Sequence, residues 1–135
     1  MKRTSSSILV AVLLALTAFF FLSCKGETEP VVIDLTDAVV EEGTTLLDVM
    51  EDRKEEGTLA FEVVNGMVTS INGTENSPTY NPCWMLYTSD DDPAASNSAW
   101  GTYEYEGQTL ASAALGADAL IVKTGEIYVW VYVTF

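Results

Sequence analysis

The chain has 135 residues, 6 basic against 20 acidic and no histidine, for a net charge of −14 at pH 7. That balance repels phosphate backbones and excludes nucleic-acid binding. The missing histidine excludes Ser-His-Asp and Cys-His catalysis, histidine metal sites, and histidine as an axial ligand to cobalt or iron.

At the N-terminus, Lys2 and Arg3 precede an apolar run from Ile8 to Leu22 broken only by Thr17, and small Ser23 stands before Cys24. A short basic stretch, an apolar stretch and a small residue at the cut point make a secretory signal over residues 1–23. The run falls short of the roughly 20 apolar residues of a membrane-spanning helix. A cysteine at the cut position points to a bacterial lipoprotein, in which Cys24 is lipidated and becomes the mature N-terminus. Residues 24–30 are then a lipidated linker. The domain is expected to be exported and anchored to the outer face of a bacterial membrane. Lys2 and Arg3 leave with the signal, so 4 basic residues remain against 20 acidic ones and the mature net charge is −16. Anionic lipid repels such a surface, which holds the domain away from the membrane at the end of its tether.

After the linker, Val31-Val32-Ile33-Asp34-Leu35 reads as a strand and Val39-Val40 as a second, brief one. A helix follows Gly43, capped by Thr44 or Thr45, with Thr45 and Asp48 spaced as a capping box. Leu46, Leu47 and Met50 form its apolar face, and Gly57 suits the left-handed position that ends it. Leu59, Phe61 and Val63 alternate with polar or small neighbours, and Asn65-Gly66 offers a type I′ turn into Met67–Ile71. Asn72-Gly73 ends that strand and opens a polar loop from Thr74 to Pro82. Cys83–Thr88 is the most hydrophobic strand. A long loop from Ser89 to Gly101 leads to the alternating Thr102–Tyr105. Ala111–Leu115 fits a strand or a helical turn. Leu120–Lys123 and Ile127–Val133, joined by Gly125-Glu126, read as a closing pair of strands. One helix packed on a small mixed β-sheet is an α+β arrangement.

The order of these elements resembles the transcobalamin-like C-terminal domain family. The resemblance rests on the helix opened by Gly43-Thr44-Thr45-Leu46-Leu47-Asp48 and the hairpin ending in Thr69-Ser70-Ile71-Asn72-Gly73. It continues through the aromatic strand Cys83-Trp84-Met85-Leu86-Tyr87 to Gly125-Glu126-Ile127-Tyr128-Val129-Trp130. It spans residues 31–135 and implies a β-grasp-like, ligand-binding domain. It also implies capture of cobalamin or a related corrinoid for uptake, with no cofactor required for chemistry. In the carriers a large helical domain supplies the other half of the ligand cage. This chain has none, so a helical partner domain or a transporter is the expected partner. The segment from Asp90 to Trp100 departs from the carriers' loop.

A corrinoid is a broad apolar disc edged with amides, suited by apolar side chains and a few hydrogen bonds. Trp84, Tyr87, Trp100 and Tyr103 are the candidate aromatic wall, with Tyr80 and Asn97 on adjoining loops. Trp84 lies in an apolar strand and is open between core and contact. Trp100, in a polar loop beside Gly101, reads as a partner-seeking indole. Tyr128 and Trp130 read as structural. Asp90-Asp91-Asp92 lacks the glycine and distal glutamate of an EF-hand, and the segment reads as a solvated turn at Asp92-Pro93. Asn72-Gly73-Thr74 matches a glycosylation sequon and reads as a hairpin-end turn. Cys83 lacks a histidine base and reads as a buried strand residue, so no enzyme is expected. The competing function is a protein- or glycan-binding surface module using the same aromatic loop.

Overall fold

The computed structural model describes residues 28–135, so the signal and Cys24 lie outside the described residues. In chain order the elements are β1 (Val31–Asp34), α1 (Leu46–Glu55), β2 (Phe61–Val64), β3 (Met67–Ile71) and β4 (Thr74–Glu75). Then come β5 (Cys83–Thr88), a 3₁₀ turn at Ser98–Trp100, β6 (Thr102–Tyr105), β7 (Gln108–Ser112) and β8 (Ile127–Val133). The strands form two sheets, one of five strands in the order β1-β8-β5-β7-β6 and one of three in the order β2-β3-β4.

Turn chemistry explains the small sheet. Asn65-Gly66 and Asn72-Gly73 both hold two consecutive positive φ angles, 52° and 81° in the first and 49° and 86° in the second. Two such turns, seven residues apart, fold one stretch of chain back on itself twice. The first half of that reading is the expected hairpin. The second corrects the polar loop expected from Thr74, because Thr74 and Glu75 pair back with Ile71 and Ser70.

The large sheet is organised on β8, which pairs antiparallel with β1 on one side and with β5 over its whole length on the other. Its alternation sorts the core. Tyr128 and Trp130 face the inner cluster with Ile33, Trp84 and Leu86, while Ile127 and Val129 face the other side with Tyr87 and Leu110. Helix α1 closes the inner cluster with Leu46 and Met50. The capping box forms as read: Thr45 Oγ1 accepts from Asp48 N at 3.2 Å, and Asp48 Oδ2 accepts from Thr45 N at 3.0 Å. Among the described residues both buried clusters run from Ile33 to Trp130, so the segment 28–135 contains a hydrophobic core built from its own two sheets and helix.

The β-grasp-like α+β expectation, with one helix on a small mixed sheet, is therefore corrected. Every strand pairing is antiparallel, the strands are divided between two sheets, and the architecture is β-dominated with one short α-helix among the described residues. Tight turns set the antiparallel neighbours where the connections are short: Asn65-Gly66, Asn72-Gly73 and, between β6 and β7, Glu106-Gly107 each hold two positive φ angles. The closing hairpin is corrected too. Leu120 and Val122 are buried and Ile121 exposed, but this stretch pairs elsewhere. Leu46 N donates to Leu120 O, and Val122 N to Thr44 O, each at 2.9 Å, so it receives the helix N-terminus instead of β8. Val39-Val40 forms no strand, and Val39 is 96% exposed.

Candidate functional site

Two sheets of unequal width leave a gap where they meet. A cleft of about 540 Å³ opens between β3 and the inner end of β5, with the segment 112–118 as its third wall. That is within the few-hundred-to-thousand Å³ range of small-ligand sites. Val68, Trp84, Leu86, Ala113, Ala117 and Trp130 give it an apolar lining. Met67, Tyr80 and Leu115, three of the large hydrophobic side chains left exposed, stand around it.

One end of the cleft is tied by four hydrogen bonds, two of them made by the Asn76 side chain. Trp84 Nε1 donates to Thr74 O at 2.8 Å, and Tyr132 hydroxyl donates to Glu75 O at 2.6 Å. Asn76 bridges directly: its Oδ1 accepts Trp84 N at 2.8 Å and its Nδ2 donates to Val68 O at 3.3 Å. At the other end the Asn65-Gly66 turn meets Asp118. A Cβ added to Gly66 would clash with Asp118 Oδ2, so the carboxylate rests against the bare turn. Gly66→Ala should cost about 1–2 kcal/mol, chiefly from the positive φ of 81°, because the exposed Asp118 side chain can swing away. Thermal denaturation of the variant beside Asp118→Ala separates the backbone part from the contact.

Polar groups in the lining are left open. Trp130 is 6% exposed, and its Nε1 is buried with no hydrogen-bond partner among the described residues. An unanswered buried donor costs about 1–3 kcal/mol unless a ligand meets it. Strand β7 pairs with β5 only at Tyr87 and Thr88. Beyond that, Leu86 O accepts Ala113 N at 2.8 Å and the chain turns away, with Ala114 N donating to Ala95 O at 2.8 Å. Along an antiparallel strand the N–H and C=O of one residue point to the same side. Leu86 N–H and Trp84 C=O therefore face the vacated edge, and neither has a partner among the described residues.

The six residues singled out as ligand contacts do not form one wall. Trp84 and Tyr87 are three positions apart on β5 and so face opposite sides of the sheet. Trp84 is in the inner core, 5.1 Å from the Tyr132 ring, and reaches the cleft. Tyr80 stands at the cleft as well. Tyr87 and Tyr103 pair on the outer side with ring centroids 5.6 Å apart, and burial raises the Tyr87 phenol pKa. Asn97 caps the 3₁₀ turn, its Oδ1 accepting Ala99 N at 3.0 Å. Trp100 ends that turn, 63% exposed. Trp100→Ala should change stability by no more than about 0.5 kcal/mol. A urea titration checks that value.

Asp90 and Asp92 converge on a cation already present in the chain. Lys123 Nζ lies 3.1 Å from Asp90 Oδ2 and 3.3 Å from Asp92 Oδ2. Asp90 Oδ2 accepts no hydrogen bond, but this ion pair answers its charge. Bonds to Asp90 and then Asp92 raise the Lys123 pKa, while the Ala94 N–H and then Lys123 lower that of Asp92. Cys83 is buried, and desolvation raises its thiol pKa, which disfavours the nucleophilic thiolate.

Trp130, Asn76 and Asp118 were not among the expected contacts. The signal for them was the repeat of Asn-Gly at positions 65 and 72, which implies a second sheet and hence a seam. No family model, no curated protein and no solved structure matches this chain.

Proposed function

We propose that this chain is an extracytoplasmic binding protein, tethered through a lipid on Cys24, that performs no chemistry and seats its ligand in the cleft between the two sheets. The observation that carries this reading is the unpartnered Trp130 indole N–H in an otherwise apolar lining. A site of that composition favours a largely apolar ligand bearing carbonyl or amide groups. A corrinoid, the ligand implied by the sequence resemblance, has that chemistry at its amide-edged rim. So does an extended peptide, and the open edge of β5 favours the latter.

Titration of the 28–135 domain with cobalamin, cobinamide and short capped peptides, followed by tryptophan quenching, tests the seat. A ligand that binds should lose at least about tenfold in affinity to Ala114→Phe, which fills the cleft, and bind Trp100→Ala unchanged. Binding that survives Ala114→Phe and fails in Trp100→Ala would move the site to the 97–101 loop. No binding by any of these probes up to about millimolar, some −4 kcal/mol, contradicts the reading.

A further inference from the structure

The geometry points to an extended peptide segment as the ligand, added to the large sheet as a short strand on the free edge of β5; this rests on the cleft being the ligand seat. Strand β7 ends at Ser112, Ala113 still bonds the Leu86 carbonyl, and beyond it no strand pairs with this edge beside Cys83–Met85. A chain entering there meets the Leu86 N–H and the Trp84 C=O, a donor and an acceptor two residues apart on one edge. That is the pattern by which an exposed edge recruits a strand: main-chain bonds supply affinity, and alternate side chains find pockets. Asn76 blocks the edge at Trp84 N–H and Ala113 blocks it at Leu86 C=O, which limits the added strand to a few residues and fixes its register.

The Trp130 indole N–H is the second, independent observation. It is buried, unpartnered and part of the same lining, so it is placed to donate to a carbonyl of the incoming segment. The surroundings define the rest of the partner. Val68, Ala113 and Ala117 call for apolar side chains on the face directed inward, and exposed Met67, Leu115 and Tyr80 would cover it from above. Charge complementarity selects a basic segment. Asp118 is the charged residue of the lining and makes no ion pair among the described residues, whose cations Arg53, Lys54 and Lys123 all lie outside the cleft. The surface as a whole is strongly acidic, which speeds the approach of a cationic partner. The partner is therefore an extended segment with alternating apolar residues and at least one Lys or Arg.

Phage-displayed heptapeptides selected on the 28–135 domain, with the Ala114→Phe variant for counter-selection, supply the probe. The selected sequences should alternate apolar and polar residues and carry a basic residue. One of them, synthesised with capped ends, should shift the Leu86 amide and the Trp130 indole resonances. N-methylation of the single peptide amide that pairs with Trp84 C=O should weaken binding about tenfold, while methylation of its neighbour, which points away, should not. Trp130→Phe should weaken it by a similar factor, with Trp130→Leu as a second variant if the first melts early. The inference fails if no peptide survives counter-selection, if methylation at both positions acts equally, or if the Leu86 amide does not move. If cobinamide shifts the Trp130 indole while every peptide fails, the strand is wrong and the cleft stands. If neither probe moves Trp130, the cleft reading falls with it.

Discussion

Replacing Trp84 by alanine is expected to destabilise the domain by about 3–5 kcal/mol. The indole is 6% exposed and packs with Ile33, Leu86, Tyr128 and Trp130 in the inner cluster. It also makes one of the bonds that hold the small sheet to the large one, Nε1 to Thr74 O at 2.8 Å. Truncation therefore leaves a cavity and an unpaired carbonyl together. Trp84→Phe separates these parts, since it keeps most of the apolar contact and loses only the bond, and it should cost about 1–2 kcal/mol. Urea unfolding of both variants gives the comparison. A loss under 1 kcal/mol for Trp84→Ala would mean that the two sheets are held together elsewhere.

The second large effect belongs to Asn76. Its amide accepts the Trp84 N–H and donates to Val68 O, so one side chain joins β5 to β3. Alanine at this position strands a donor on one sheet and an acceptor on the other. At about 1–3 kcal/mol for each buried group left unmet, and with part of the loss recovered by water entering the cleft, the expected cost is about 2–4 kcal/mol. Amide exchange supplies a local reading: the Trp84 N–H should exchange faster in Asn76→Ala even under conditions where the core of β8 is still protected. Asn76→Asp keeps the acceptor and should leave the Trp84 amide slow. If Asn76→Ala unfolds at the same urea concentration as the native chain, the bridge is decorative and the seam depends on packing alone.

Much of the fold could be read locally. Thr45 and Asp48 signal the helix cap, Asn65-Gly66 a hairpin, and the apolar run Cys83–Thr88 a strand; each is a short-range signal that the structure contains. Val39-Val40 and Thr74-Glu75 are errors of element type, and the larger errors are errors of partner. Leu120–Lys123 has the apolar, β-branched composition of a strand, yet its backbone bonds go to the helix N-terminus, 76 residues away between Thr45 and Ile121. Periodicity reports which side chains are buried and says nothing of which chain lies alongside. The mixed sheet failed for the same reason, since the direction in which β1 meets β8 is set by the whole intervening path.

The candidate site was harder to read than the fold. In sequence Trp84, Tyr87, Trp100 and Tyr103 read as one aromatic wall, but the two faces of β5 part Trp84 from Tyr87. The features that favour a ligand in the cleft are an indole donor on β8, a missing neighbour of β5 and a turn on β2-β3, and these come from three distant stretches. Only the turn has a sequence pattern of its own, Asn65-Gly66; the indole donor and the missing neighbour have none. A tryptophan lacking a hydrogen-bond partner looks identical, in sequence, to one that has it.

The three tryptophans supply the most direct test of the claim that the inter-sheet cleft is the ligand seat, because each indole N–H stands in a different setting. Trp84 is bonded to Thr74, Trp130 is buried without a partner, and Trp100 is exposed on the 3₁₀ turn. In a two-dimensional ¹⁵N–¹H spectrum of the domain, titrated with cobinamide and with the selected peptide, the expected result is a saturable downfield movement of the Trp130 indole signal with the Trp100 signal stationary. Movement of the Trp100 indole alone, with Trp130 unchanged at saturation, would contradict the claim.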